Sequence, residues 1–175
     1  MKILIVDDHP LFLAGLRSLF KMEKEMEICG EAKNGQEAIS QAKQLKPDVI
    51  IMDINMPGVN GIDATRKILS VAANTKILAL SIHSDKQFVM EMLDAGAVGY
   101  LLKDDAPEEL VKAIEITNKG DMFLSPRITR VALSKNDDEG KTKEQGISEV
   151  SGIEIEADKK ERLNLLTSKE IEILK

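Results

Sequence analysis

Short aliphatic runs alternate with amphipathic stretches five times over residues 1–120. Runs of this length that end at a charged or turn-forming residue are typical of buried parallel strands. They predict strands at residues 3–6, 27–32, 49–52, 76–81 and 98–102. The stretches between them carry apolar residues at helical spacing, as Phe12, Leu16, Leu19 and Phe20 do in the first. The pattern therefore predicts five strand–helix units.

Five such units in one chain predict an α/β fold, because right-handed crossovers place helices on both faces of a parallel sheet. The doubly wound, flavodoxin-like sheet has the strand order 2-1-3-4-5, in which the first and third strands are neighbours. The strand at 27–32 is the most polar and is expected at an edge. The strand at 49–52 is continuously apolar and is expected inside the sheet.

Turn and capping residues predict the ends of the helices. Asn34 precedes the second helix and Pro47 ends it, while Gly96 is a C-terminal cap for the fourth. Asp105 and Glu108 have the spacing of a capping box at the start of the fifth helix. The first, third and fourth helices are expected at residues 11–24, 62–71 and 85–95.

Charged residues stand just past the ends of three predicted strands. Asp7 and Asp8 follow the first strand, Asp53 follows the third, and Lys103 follows the fifth. The carboxyl ends of parallel strands form one rim, where ligands bind in open α/β sheets, so these side chains are expected to converge. Three adjacent carboxylates repel one another unless a cation, a protonated carboxyl or a lysine compensates them. A divalent ion with oxygen ligands is the simplest solution.

Composition narrows the class of protein. The hydrophobic fraction is 43%, with no Trp and one Tyr, so the core is expected to be aliphatic. A net charge of −6 argues against a chain that wraps nucleic acid by itself. The single cysteine, Cys29, excludes an intrachain disulfide and favours a reducing compartment. No run has the length of a membrane span or the form of a signal peptide, which predicts a soluble, cytoplasmic protein without a membrane partner.

The character of the chain changes after the fifth unit. Residues 121–163 are mostly charged and polar, which predicts a flexible linker. Apolar spacing returns at residues 164–175, where Thr167 and Glu170 have the spacing of a capping box. A helix of this length is marginal alone, so it is expected to be an incomplete part of another domain.

The motifs of residues 1–120 together resemble the receiver domain of two-component response regulators. They are Asp7-Asp8, Asp53, Met56-Pro57-Gly58, Ser81 and Lys103. The resemblance implies that Asp53 is the phosphoacceptor, whose carboxylate attacks the phosphorus of a phosphohistidine on a sensor histidine kinase. It also implies a Mg²⁺ site formed by Asp8, Asp53 and the backbone carbonyl of Asn55, with Asp7 completing the acidic pocket.

The same resemblance assigns roles to three further residues. Lys103 supplies a second cation for the charge that develops on the transferred phosphoryl group. Ser81 is expected to donate its hydroxyl to a phosphoryl oxygen once Asp53 is modified. Tyr100 matches an aromatic switch position, so that phosphorylation shifts the population of its packing states. A receiver of this kind is a phosphoacceptor and not a turnover enzyme.

The stretch at 96–104, in which Asp104 follows Lys103, resembles the NarL/FixJ branch of response regulators. Residues 166–174 resemble the opening helix of the LuxR-type helix-turn-helix domain of that branch, and no recognition helix follows. The resemblance implies transcription control, dimerisation on phosphorylation and DNA binding by a complete effector domain. The chain as given is not expected to bind DNA specifically.

Two other functional classes stay open at this point. One is a stand-alone receiver that acts through protein–protein contacts. The other is a metal-dependent phosphatase of the haloacid dehalogenase type, which needs a second aspartate where Asn55 stands. Nucleotide binding is disfavoured because neither phosphate-binding glycine motif occurs.

Single residues also fit simpler roles. Lys103 fits a surface lysine, and Ser81 fits an ordinary serine at a strand end. Tyr100 fits a strand tyrosine whose ring packs while its hydroxyl contacts water. His9 and His83 lie near the same rim without metal-ligand spacing, which favours solvated loop histidines.

Overall fold

The computed structural model describes residues 1–105 and 107–134. Within them, six strands pair in parallel in the order β2-β1-β3-β4-β5-β6. The strands are β1 (Lys2–Val6), β2 (Glu27–Ala32), β3 (Val49–Met52), β4 (Lys76–Ser81), β5 (Gly99–Leu102) and β6 (Phe123–Leu124). The helices are α1 (Pro10–Phe20), α2 (Gly35–Leu45), α3 (Gly61–Val71), α4 (Lys86–Asp94), α5 (Pro107–Asn118) and α6 (Pro126–Leu133). The flavodoxin-like α/β fold and the order of the first five strands are confirmed.

Side chains on the two faces of the sheet enter separate apolar clusters. In β1, Leu4 and Val6 pack in the cluster that includes α2, α3, α4 and α6. Ile3 and Ile5 pack in the other cluster, with α1 and α5. This division follows from the alternation of side chains along a strand. The fully buried β3 lies inside the sheet and the more exposed β2 lies at its edge, as predicted.

The first helix is shorter than its apolar pattern predicted. It ends at Phe20 and not at Lys24, because the backbone N–H groups of the following residues bond to the third preceding carbonyl instead of the fourth. Met22 donates to the carbonyl of Leu19, and Glu23 donates to the carbonyl of Phe20. Such bonds to the third preceding residue tighten the chain into a turn and end the α-helix.

The predicted caps take part in the turns around the helices. Asn34 accepts a hydrogen bond from the backbone N–H of Glu37 at the start of α2. Gly96 follows α4 with a φ of 103°, a conformation that favours glycine. The Asp105 carboxylate accepts a hydrogen bond from the backbone N–H of Leu102, 2.8 Å away. This bond holds the turn after β5 and not the start of α5, where the capping box was predicted.

The boundary of the expected linker at residue 121 is wrong. Phe123 and Leu124 form β6, which pairs with the outer edge of β5, and Ser125 donates to the carbonyl of Tyr100. Ile128 of α6 is 0% exposed and packs in the same cluster as α4. These residues are ordered because β6 pairs with the open edge of the sheet and α6 buries an apolar face. A strand of two residues is too short to be recognised from the sequence pattern. The rest of the predicted linker and the helix start at 164–175 lie outside the described residues.

Candidate functional site

The predicted cluster of charges forms at the carboxyl ends of β1, β3 and β5. Val6 and Met52 are register partners in neighbouring strands, so the residues that follow them emerge side by side. Carboxylate oxygens of Asp7, Asp8 and Asp53 and a ring nitrogen of His9 all lie within 4.8 Å of one another. The strand order therefore brings together the three carboxylates that the sequence predicted.

Lys103 enters this cluster from β5. Its Nζ lies 2.6 Å from Oδ2 of Asp7 and 3.0 Å from Oδ2 of Asp53. The same ammonium lies 4.7 Å from the centre of the Phe12 ring, which adds a cation–π contact. Since Asp7 and Asp53 are both buried, the lysine supplies a positive charge that these carboxylates need. The reading of Lys103 as a simple surface lysine does not fit this position.

The two oxygens of Asp53 have different partners. Oδ2 pairs with Lys103, whereas Oδ1 accepts a hydrogen bond from the backbone N–H of Ile54, 2.8 Å away. Burial raises the pKa of Asp53, and the nearby charge of Asp7 raises it further. The hydrogen bond and the charge of Lys103 act in the opposite direction. The carboxyl group is thus held in a fixed orientation and in a strongly charged environment.

Asp8 has an oxygen that the described part of the chain leaves unsatisfied. Its Oδ1 lies 2.9 Å from Nδ1 of His9, but the two groups lack hydrogen-bond geometry, so this buried oxygen has no hydrogen-bond partner among the described residues. Asp7 Oδ1 accepts a hydrogen bond from the backbone N–H of His9. An orphaned carboxylate oxygen beside two further carboxylates fits a hard divalent cation with oxygen ligands. The donor set therefore fits Mg²⁺.

Ser81, Tyr100 and Asn55 meet at one residue, His83. The buried Ser81 Oγ accepts a hydrogen bond from the backbone N–H of His83, 3.1 Å away. The Tyr100 side chain is fully buried, and its hydroxyl donates a hydrogen bond to the His83 carbonyl, 2.8 Å away. The Asn55 side chain contacts the His83 ring. The His83 side chain is 24% exposed and contacts Asn55 and Phe88, so it is only partly solvated. Its position near the rim was the one sequence signal for these contacts.

An apolar groove opens beside the cluster, between α1 and α5. It has a volume of about 640 Å³ and reaches Asp53 and Lys103 at one end. Leu16 and Leu110 line its walls, and the strongly exposed Leu11 stands at its rim. The phosphoacceptor candidate is thus approached along an aliphatic surface.

Comparison with known proteins decides the family. The sequence profile of the response regulator receiver domain matches residues 3–115. The chain belongs to this family. It is 36% identical to the transcriptional regulatory protein DegU of Brevibacillus brevis, over 99% of this chain and 73% of that protein. It is 40% identical to the nitrate/nitrite response regulator protein NarL of Escherichia coli strain K12, over 74% of this chain and 60% of that protein.

Solved structures agree with this response regulator family. A two-component response regulator of the LuxR family from Aurantimonas sp. SI85-9A1 is similar with a TM-score of 0.72 and 36% identity. The similarity covers 75% of this chain and 94% of that one. The expectation of a two-component response regulator of the NarL/LuxR type, a class of transcription regulators, is confirmed. In the part of this response regulator that the structure describes, every helix is too short or too polar to traverse a bilayer.

Proposed function

We propose that Asp53 accepts a phosphoryl group from a phosphohistidine of a sensor histidine kinase in a Mg²⁺-dependent reaction. The position of the Asp53 carboxylate carries the proposal: it is buried at the end of β3, with Lys103 Nζ 3.0 Å from one of its oxygens. A carboxylate oxygen attacks phosphorus, a P–O bond forms, and the P–N bond to the kinase imidazole breaks. The released imidazole takes up a proton, and Asp53 carries an acyl phosphate.

Lys103 stabilises the phosphoryl group in this proposal. Negative charge develops on three equatorial oxygens during the transfer, and a fixed ammonium beside them lowers the barrier. Lys103 already lies between Asp7 and Asp53, so it needs little movement to reach an oxygen of the incoming group.

Asp8, Asp53 and the backbone carbonyl of Asn55 would hold Mg²⁺, with Asp7 in the acidic pocket. The unpartnered Oδ1 of Asp8 and the 4.8 Å cluster of carboxylates support this assignment. When bound, the ion supplies charge neutralisation for the acidic cluster and for the phosphoryl oxygens.

Ser81 and Tyr100 form the switch in this proposal. Ser81 retains a hydroxyl proton to donate to a phosphoryl oxygen, since its Oγ accepts the bond from His83. Tyr100 changes its packing together with Ser81, because its hydroxyl is hydrogen-bonded to His83 in the loop that follows Ser81. The changed surface then favours homodimerisation of this cytoplasmic protein and DNA binding through an effector domain. Residues 1–134 form the receiver part, and residues 164–175 are assigned to the effector.

Phosphorylation of the intact chain tests the proposal. Acetyl phosphate with Mg²⁺ should add the mass of one phosphoryl group, and removal of Mg²⁺ with a chelator should abolish the addition. The Asp53→Asn variant should show no addition, whereas Asp94→Asn, at an exposed aspartate at the end of α4, should react like the parent chain. Equal labelling of the Asp53→Asn variant would refute the proposal.

The chain is proposed to lack phosphatase turnover. Asn55 occupies the position at which a haloacid dehalogenase-type phosphatase needs a second carboxyl group, and its side chain contacts His83. Incubation with p-nitrophenyl phosphate should release no nitrophenol beyond the rate at which phosphorylated Asp53 hydrolyses. Faster release would favour the phosphatase instead.

A further inference from the structure

His83 joins three parts of the site. It lies in the loop between β4 and α4, where its backbone N–H donates to Ser81 Oγ and its carbonyl accepts from the Tyr100 hydroxyl. Its Nε2 lies 2.5 Å from Nδ2 of Asn55, in the loop that follows Asp53. One residue thus contacts both proposed switch residues and the loop of the phosphoacceptor.

The His83 ring is held in place on its other sides. It packs against the Phe88 ring of α4 with a centroid distance of 4.7 Å. The Nδ2 amide group of Asn55 is a donor, so Nε2 of His83 accepts in this contact. The other ring nitrogen, Nδ1, lies 3.9 Å from a carboxylate oxygen of Asp85. A ring with fixed contacts on both sides transmits displacement better than a freely rotating side chain.

The Asn55–His83 contact bridges two loops that are otherwise separate. Among the hydrogen bonds of the described residues, it is the only one between the loop after β3 and the loop after β4. Phosphorylation of Asp53 acts on both loops. It places new oxygens beside Asn55, and it attracts the Ser81 hydroxyl toward a phosphoryl oxygen. A tie between the loops makes these two changes cooperative.

We propose that the His83 side chain is a positioning residue that couples phosphorylation of Asp53 to the packing of Tyr100. The inference rests on the proposed function, because it requires a phosphoryl group at Asp53. The backbone contacts of His83 with Ser81 and Tyr100 do not need the imidazole. The imidazole adds the tie to Asn55, so the loop moves together with the phosphoacceptor loop.

Tyrosine fluorescence tests this coupling directly, because Tyr100 is the single tyrosine of a chain without tryptophan. The parent chain should change its emission when acetyl phosphate and Mg²⁺ phosphorylate it. The His83→Ala variant should take up the same phosphoryl mass, but its emission change per phosphoryl group should fall by about half or more. The His83→Gln variant should recover the response, since a glutamine amide can bond to Asn55.

Two further variants separate coupling from general disturbance. Asn55→Ala keeps the backbone carbonyl but removes the other half of the bridge, and it should also lower the emission change per phosphoryl group. Gln87→Ala, on the exposed face of α4 where its amide donates to the Glu91 carboxylate, should leave the response unchanged. Circular dichroism of each variant verifies that the fold is intact.

The possible outcomes distinguish the coupling from the phosphorylation itself. An unchanged emission response in His83→Ala, or no emission response in a phosphorylated parent chain, would overturn the coupling and leave the proposed function intact. A His83→Ala variant that takes up no phosphoryl group would also overturn it, because His83 would then act in the transfer. A parent chain that takes up no phosphoryl group would refute the proposed function and the inference with it.

Discussion

Lys103 lies nearer to Asp7 than to the proposed phosphoacceptor: Nζ is 2.6 Å from the carboxylate of Asp7 and 3.0 Å from that of Asp53. The lysine therefore serves first as the counter-ion of a buried carboxylate. The same position allows it to contact a group transferred to Asp53. Charge balance of the unmodified fold and, in the proposed function, stabilisation of the phosphoryl group thus depend on one side chain.

Replacement of Lys103 should separate metal binding from phosphoryl transfer. In Lys103→Met the acidic cluster loses its cation, so Mg²⁺ should bind more tightly, as measured by calorimetry. Phosphorylation by acetyl phosphate should slow by about 100-fold, because a fixed charge beside the phosphoryl oxygens is lost. The exposed Lys67 provides the control, and Lys67→Met should match the parent chain in both measurements. Weaker Mg²⁺ binding by Lys103→Met would contradict the assignment of Lys103 as the counter-ion.

Tyr100 should ionise far above the usual range of tyrosine. Burial raises its pKa to about 12. Because the folded pKa lies above the unfolded value of about 10, the stabilisation is fully present below pH ~10 and is lost as the pH rises through about 12. Ultraviolet absorbance of tyrosinate measures this ionisation for a single residue. A midpoint near 10 in the native protein would mean that the hydroxyl is in contact with water.

Helix α6 should contribute to the stability of the receiver. Ile128 is 0% exposed, so Ile128→Ala should lower the free energy of unfolding by about 3 kcal/mol, as measured by urea titration. Leu133 on the same helix is 55% exposed, and Leu133→Ala should cost clearly less. Equal losses for the two variants would indicate that α6 does not pack as described.

Gly61 should tolerate no side chain, because it begins α3 directly beside Asp53, the proposed phosphoacceptor. A Cβ at this position would lie 2.0 Å from the carbonyl oxygen of Asp53. Gly61→Ala should therefore lower the free energy of unfolding by about 3 kcal/mol and slow phosphorylation of Asp53. Gly15, in the middle of α1, has open space, and Gly15→Ala should raise stability by about 1 kcal/mol. Urea titration distinguishes the two, and an unaffected Gly61→Ala would refute the close approach.

The sequence alone determined the five main strands, their order and the convergence of Asp7, Asp8, Asp53 and Lys103. These features follow from local periodicity and from the rule that parallel strands end at a common rim. Such patterns are written in neighbouring residues, so they are readable without coordinates.

The tertiary structure alone decided which groups pair within that rim. The sharing of Lys103 between Asp7 and Asp53, the free oxygen of Asp8 and the bridge from His83 to Asn55 depend on ångström-scale distances between residues far apart in sequence. The order of residues 121–134 is of the same kind. Their short apolar segment forms a strand because it pairs with the open edge of β5. The helix that follows is stabilised because it packs against the apolar cluster beside α4.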